Sequence, residues 1–223
     1  MYYCKRRTRQ SSVGHLADPY DPFDDGRQVH GRQDQFAGTI DERGEGPRVD
    51  RAEPPEPVAG GQVVFAGTDQ ETELGIGVGF YGKAVVVKLY QSYYYQPIYT
   101  LYGHLDTTLV SVGQLVAQGD ILGTVGGTGV AKGGAHLHME VRVGYNDYLA
   151  TRNPELWLKP FPGWGAIAGR VTDSDNHLVP LANITIRSIS LDDEDRAPVQ
   201  RYTTTYVHET LNPDEVLGEN FAI

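Results

Sequence analysis

The sequence predicts an all-β protein: an antiparallel β-sheet or sandwich core, a loop-rich N-terminal arm before it and a small, partial β-sandwich after it. Three observations predict this. Between Gly61 and Val143 the chain is built of short apolar runs rich in β-branched and aromatic residues, each bounded by glycine. Beyond Gly165 three more runs alternate apolar and polar residues, with acidic turns between them. No segment places its apolar residues at a period of 3.6, so helices are not expected.

Residues 1–46 are rich in Asp, Arg, Gly and Gln without periodicity and read as an irregular arm, and the same texture runs on to about residue 57. A core unit is expected over 47–160. Its strands are Val63-Val-Phe-Ala, Ala84-Val-Val-Val-Lys-Leu-Tyr, Pro97-Ile-Tyr-Thr-Leu-Tyr, Gln114-Leu-Val-Ala, Ile121-Leu-Gly-Thr-Val and Leu137-His-Met-Glu-Val-Arg-Val. A Pro-rich hinge follows from Arg152, with Trp157 and Trp164 expected to pack at the join. The third unit, 164–223, has strands in Gly165–Asp173, Ala182–Ser188 and Arg201–Val207, and Asn220-Phe-Ala-Ile reads as the start of another.

The 223 residues carry 19 basic and 29 acidic side chains, a net charge of −10, which repels phosphate backbones and anionic membranes. Nucleic acid is therefore not an expected partner. The single cysteine, Cys4, has no partner for an internal disulfide, so a metal site must draw on His and carboxylate. Neither a signal peptide nor a membrane span is visible, and a monomer is expected.

The stretch Gly133-Gly-Ala-His-Leu-His-Met-Glu-Val-Arg-Val carries the chemistry. On a strand, His136, His138, Glu140 and Arg142 face one way, and Leu137, Met139, Val141 and Val143 the other. The first set reads as a polar, solvated face and the second as core. His104 ends another apolar run, in Thr100-Leu-Tyr-Gly-His-Leu-Asp, beside a glycine that permits close approach or an unusual backbone angle. Three of the chain's seven histidines thus fall on two sheet strands.

Tyr99-Thr-Leu-Tyr-Gly-His-Leu, Val112-Gly-Gln-Leu-Val-Ala-Gln-Gly-Asp-Ile-Leu-Gly-Thr-Val-Gly-Gly-Thr-Gly and Ala135-His-Leu-His-Met-Glu-Val-Arg together resemble the signature of the lysostaphin/LytM-type zinc metalloendopeptidases, over roughly 47–160. The resemblance implies that His138 binds Zn²⁺ and that His136 and His104 handle the water and the developing oxyanion. It also implies peptidoglycan peptides as substrate and a cell-envelope or extracellular location. The chemistry suits these residue types: zinc with three protein ligands keeps a position for water, and a neutral His, with an ordinary pKa near ~6.5, can accept a proton. The third unit resembles the carboxypeptidase-regulatory-like sandwich modules, on weaker motifs.

The family takes its other two ligands from His-x-Gly-x-Asp ahead of the first core strand. Aligned through Val49-Asp50 and Pro54-Pro-Glu-Pro-Val58, the chain has Asp50 at the carboxylate position, Gly46 at the His position and Arg48 at the Gly position. A second register, Val29-His30-Gly-Arg-Gln-Asp34, also spaces a His and an Asp four apart, sixteen residues earlier. Asp50, the pair His30 and Asp34, and a reading of all as solvated arm residues stay open here. The leading expectation is a zinc-dependent metalloendopeptidase; the alternative is a degenerate, non-catalytic relative that binds cell-wall peptides or regulates another hydrolase.

Other signals are weaker. Gly126-Gly-Thr-Gly-Val-Ala-Lys-Gly-Gly lacks the Ser or Thr after Lys of a phosphate loop and reads as a flexible approach to the His-x-His strand. The Gly113 and Gly119 region lacks the Met-Lys-Met of carrier domains. Tyr93-Tyr-Tyr-Gln reads as packing more than as a substrate wall.

Overall fold

The computed structural model describes residues 55–160, 165–187, 200–207 and 211–223. β1 (Gly61–Thr68), β2 (Lys83–Tyr93) and β3 (Gln96–Thr108) form an antiparallel meander. β4 (Leu115–Val116) pairs with the outer side of β1. β5 (Gly123–Val125) pairs with the far end of β3, and β6 (His138–Val143) with its first part. β7 (Thr151–Arg152) follows β6, giving the order β4-β1-β2-β3-β6-β7 with β5 also on β3. The all-β antiparallel expectation holds, and the only helical pieces among the described residues are single 3₁₀ turns, Tyr148–Ala150 and Pro154–Leu156. No helix among them is long and apolar enough to cross a membrane.

Strand alternation sorts the side chains into two layers. Val85, Val87, Leu89, Ile98, Tyr102 and Val141 face one way and pack with Val63, Val116 and Leu122 in the larger core. Ala84, Val86 and Leu101 face the other way and are covered by Leu74 and Tyr81. Both faces of β2 are thus buried over Ala84–Val87, where its sequence is a continuous apolar run.

The second layer corrects one expectation. The face of β6 that carries His138, Glu140 and Arg142 is buried, and Arg142 is completely so. Residues 69–82 cover this side of the sheet, and their turns show no period in the sequence. Their ends are tied: Asp69 N–H donates to Gly82 O at 2.9 Å, and Tyr81 N–H donates to Asp69 Oδ2 at 2.7 Å.

The C-terminal part contains two short antiparallel ribbons. β8 (Ala168–Gly169) pairs with β11 (Phe221–Ala222), and β9 (Asn183–Arg187) with β10 (Gln200–Thr204). Asn212 bridges in parallel to Arg152, and the Tyr93 hydroxyl donates to Asp214 at 2.8 Å, so this segment lies against the edge and hairpin of the main sheet. Trp157 packs edge-to-face on Tyr93, with centroids 4.8 Å apart. Trp164 lies outside the described residues.

Candidate active site

β3 and β6 are in register so that Leu101 faces Glu140 and Gly103 faces His138. Beyond this pair β3 is bulged. The register against β2 shifts between Val85–Tyr102 and Lys83–Leu105, and His104 lies at φ +59°, a left-handed conformation uncommon for a residue with a Cβ. The bulge re-aims the imidazole. Its backbone N–H donates to Tyr81 O at 2.8 Å, and the ring comes to 4.9 Å from His136 and 5.5 Å from His138, centroid to centroid. The chain leading into β6 bridges Gly126 at His136, which places His136 beside the continuation of β5. The three predicted imidazoles are therefore assembled in one buried cluster.

Each ring is fixed by a partner that can only accept. His104 Nδ1 lies 2.8 Å from Thr128 O, and His136 Nδ1 lies 2.9 Å from Gly134 O; a carbonyl has no proton to give, so both Nδ1 atoms carry hydrogen. In the neutral rings the lone pairs are on Nε2. His138 has the opposite arrangement, its Nε2 lying 3.0 Å from Glu140 Oε1. Burial, with the neighbouring His138 adding to it, pushes the His104 pKa down to about 4, so this ring is neutral at pH 7. The buried Nε2 of His136 has no hydrogen-bond partner among the described residues.

Three residues outside the predicted site set complete the cluster. Burial pushes the Glu140 carboxyl up, but Arg142, with the hydrogen bonds from His138 and Tyr81, outweighs this and holds it at about 2. Arg142 contacts Glu140 Oε2 through Nε at 2.9 Å and NH2 at 2.7 Å, and the Tyr81 hydroxyl donates to Oε1. The alternation of β6 placed Glu140 and Arg142 on the histidine face in the sequence. Tyr81 had a fainter signal: an aromatic between two glycine-flanked turns directly ahead of β2.

The Gly-rich stretch after β5 is anchored at Thr128. Thr128 accepts Lys83 N–H at 2.8 Å on Oγ1, donates from it to Leu105 O at 2.7 Å, and presents its carbonyl to His104. The Tyr93–Tyr95 cluster lies at the β2–β3 turn, about 26 Å along β3 from His104 at the usual rise per residue. It does not wall this site.

Asp50, His30 and Asp34 lie outside the described residues. Among those described, the only group of three potential ligands at metal spacing is the exposed Asp173, Asp175 and His177. At the histidine cluster the described residues offer one nitrogen freed by a carboxylate partner, that of His138.

Residues 48–150 match the profile of peptidase family M23. Similar solved structures include the catalytic domain of the antimicrobial peptidase lysostaphin from Staphylococcus simulans, 24% identical over 48% of this chain and 71% of that one, with a TM-score of 0.40. A mutant catalytic domain of the prophage-encoded M23 protein EnpA from Enterococcus faecalis is 25% identical over 46% and 67%, at TM-score 0.37. LytU is 27% identical over 47% and 63%, at 0.38. The comparison with curated proteins gives no match.

Proposed function

Because residues 48–150 are a domain of peptidase family M23, we propose that the chain is a zinc-dependent endopeptidase that hydrolyses peptide bonds of bacterial peptidoglycan in the cell envelope or outside the cell. The observation that carries this reading is the convergence of His104, His136 and His138 in one buried cluster with their tautomers fixed. A zinc ion fits the donor chemistry: His138 keeps a lone pair on Nδ1, and the orphaned Nε2 of His136 is what a proton-donating water would satisfy. His138 would hold the metal with Asp50 as carboxylate partner, or with His30 and Asp34. Bound there, zinc supplies Lewis acidity that lowers the pKa of water to about 7 and polarises a carbonyl.

The chain's own residues do the proton work. A neutral His136, with Nδ1–H tied to Gly134 O, takes a proton at Nε2. His104 is neutral at pH 7 and equally oriented to accept. The ring that has gained the proton carries N–H on both sides, and its Nε2–H then faces the developing oxyanion.

The sequence keeps a second reading in play, because Gly46 stands where the family has its first ligand His: a relative that binds cell-wall peptides without cutting them. Elemental analysis of the purified chain decides between them together with a peptidoglycan digest. About one zinc per chain, lost in His138→Ala, with turnover abolished in His104→Ala, supports the enzyme. No product from wild type with zinc bound supports the binding protein.

A further inference from the structure

We infer that Glu140 is a positioning residue that reserves Nδ1 of His138 for metal, and that Arg142 and Tyr81 hold Glu140 to that task. This rests on the reading of His138 as a ligand. An ionised carboxylate only accepts hydrogen bonds. Oε2 accepts the Arg142 Nε–H at 2.9 Å and is ion-paired with the same guanidinium at 2.7 Å, and Oε1 is shared by the Tyr81 hydroxyl and His138 Nε2, the latter at 3.0 Å. Facing that oxygen, Nε2 must carry the ring hydrogen, so the lone pair of the neutral ring is on Nδ1.

Neither support can turn away. Arg142 is fully buried, and its other hydrogen bonds run to Leu74 O at 2.7 Å, Asn146 Oδ1 at 3.1 Å and the Tyr81 hydroxyl oxygen at 3.2 Å. Tyr81 is fully buried, tied through its N–H to Asp69 and seated on Gly103, where a Cβ would lie 2.9 Å from its ring. The carboxylate is therefore clamped at one oxygen and aimed with the other. Such partners fix ring orientation and raise the donor strength of the opposite nitrogen.

Glu140→Gln turns this logic round. With the amide oxygen kept by Arg142, the amide NH₂ faces His138 and donates to Nε2, which drives the hydrogen to Nδ1. Tyr81→Phe removes one donor to Oε1 and leaves the His138 bond, so the tautomer stays.

The test is ¹⁵N NMR of the metal-free full chain with labelled histidine, alongside zinc titration against a chelator. Wild type and Tyr81→Phe are expected to show a protonated Nε2 and bare Nδ1 at His138. Glu140→Gln is expected to reverse this and weaken zinc binding about 10- to 100-fold. A bare Nε2 in wild type overturns the inference, and that measurement stands even if Glu140→Gln does not fold. An unchanged tautomer and affinity in a folded Glu140→Gln protein also overturns it while leaving the peptidase reading intact. Wild type with the expected tautomer but no zinc binding defeats the peptidase reading and leaves the orienting role of Glu140 standing.

Discussion

The carbonyl of Thr128 accepts the Nδ1–H of His104 at 2.8 Å, and the hydroxyl of the same Thr128 is pinned between Lys83 N–H and Leu105 O. One threonine thus joins the backbones of β2 and β3 to one imidazole. Thr128→Val keeps the shape and the carbonyl but loses both hydroxyl bonds. The expected cost is about 1–2 kcal/mol of stability. Turnover should fall, by up to about 100-fold if the ring drifts by an ångström, with KM little changed. Denaturant melts and steady-state kinetics on a peptidoglycan substrate check this; wild-type kcat in the variant would count against it.

Gly82 and Gly129 make that anchoring possible. Both lie at positive φ, +65° and +74°, and their backbones touch: a Cβ on Gly82 would sit 2.4 Å from Gly129 N and from Thr128 C. These are backbone atoms with no side chain to swing aside. Gly82→Ala combines left-handed strain with overpacking, and a loss of about 2–4 kcal/mol is expected. Thermal unfolding reads it, and a melting temperature equal to wild type would show that the loop relaxes freely.

The catalytic-type histidines were legible because a strand has a period of two: His136 and His138 fall on one face whatever covers it, and His104 sits beside Gly103 at the end of an apolar run. What could not be read was the cover. Whether Glu140 and Arg142 face water or protein depends on residues 69–82, a string of turns with no period, folding back over β2 and β3. The positive φ of His104 was equally hidden, since a bulge comes from the mismatch of two pairing registers and not from local residue preference. β4 and β5 read as four- and five-residue runs but are two and three residues long, because each meets a partner only over that length. The candidate ligands Asp50, His30 and Asp34 fall outside the described residues, so the sequence remains the sole guide to them.

The β2–β3 turn is costly for its residues. Tyr93 pairs with Gln96, leaving Tyr94 and Tyr95 as a two-residue turn at φ +47° and +65°, where Asn-Gly is the usual solution. Tyr95 is 100% exposed and gives up no packing when removed. Tyr95→Gly should therefore stabilise the chain by about 0.5–1 kcal/mol, after allowing for the greater freedom of glycine in the unfolded state. Turnover should not change, because the turn lies at the opposite end of β3 from His104. A lower melting temperature would mean that the ring makes a contact worth more than the strain.

Asp214 ties the C-terminal segment to that hairpin. Burial pushes its carboxyl up, but the N–H groups of Val216 and Leu217 and the hydroxyl of Tyr93 outweigh this and hold it below the ordinary value. A depressed folded-state pKa means that ionised Asp214 stabilises the fold above its unfolded pKa of about 3.9, and that this contribution is lost as pH falls through the lower folded value. Asp214→Asn, which cannot ionise, should be less stable than wild type at pH 7, and the gap should close on acidification below about pH 4. Nearby Glu219 is shifted the other way by burial, up from its ordinary value, so wild type alone would blend two opposite slopes. The difference between wild type and Asp214→Asn isolates one of them. A gap of equal size at pH 7 and pH 3 would place the Asp214 contribution in packing and not in its charge.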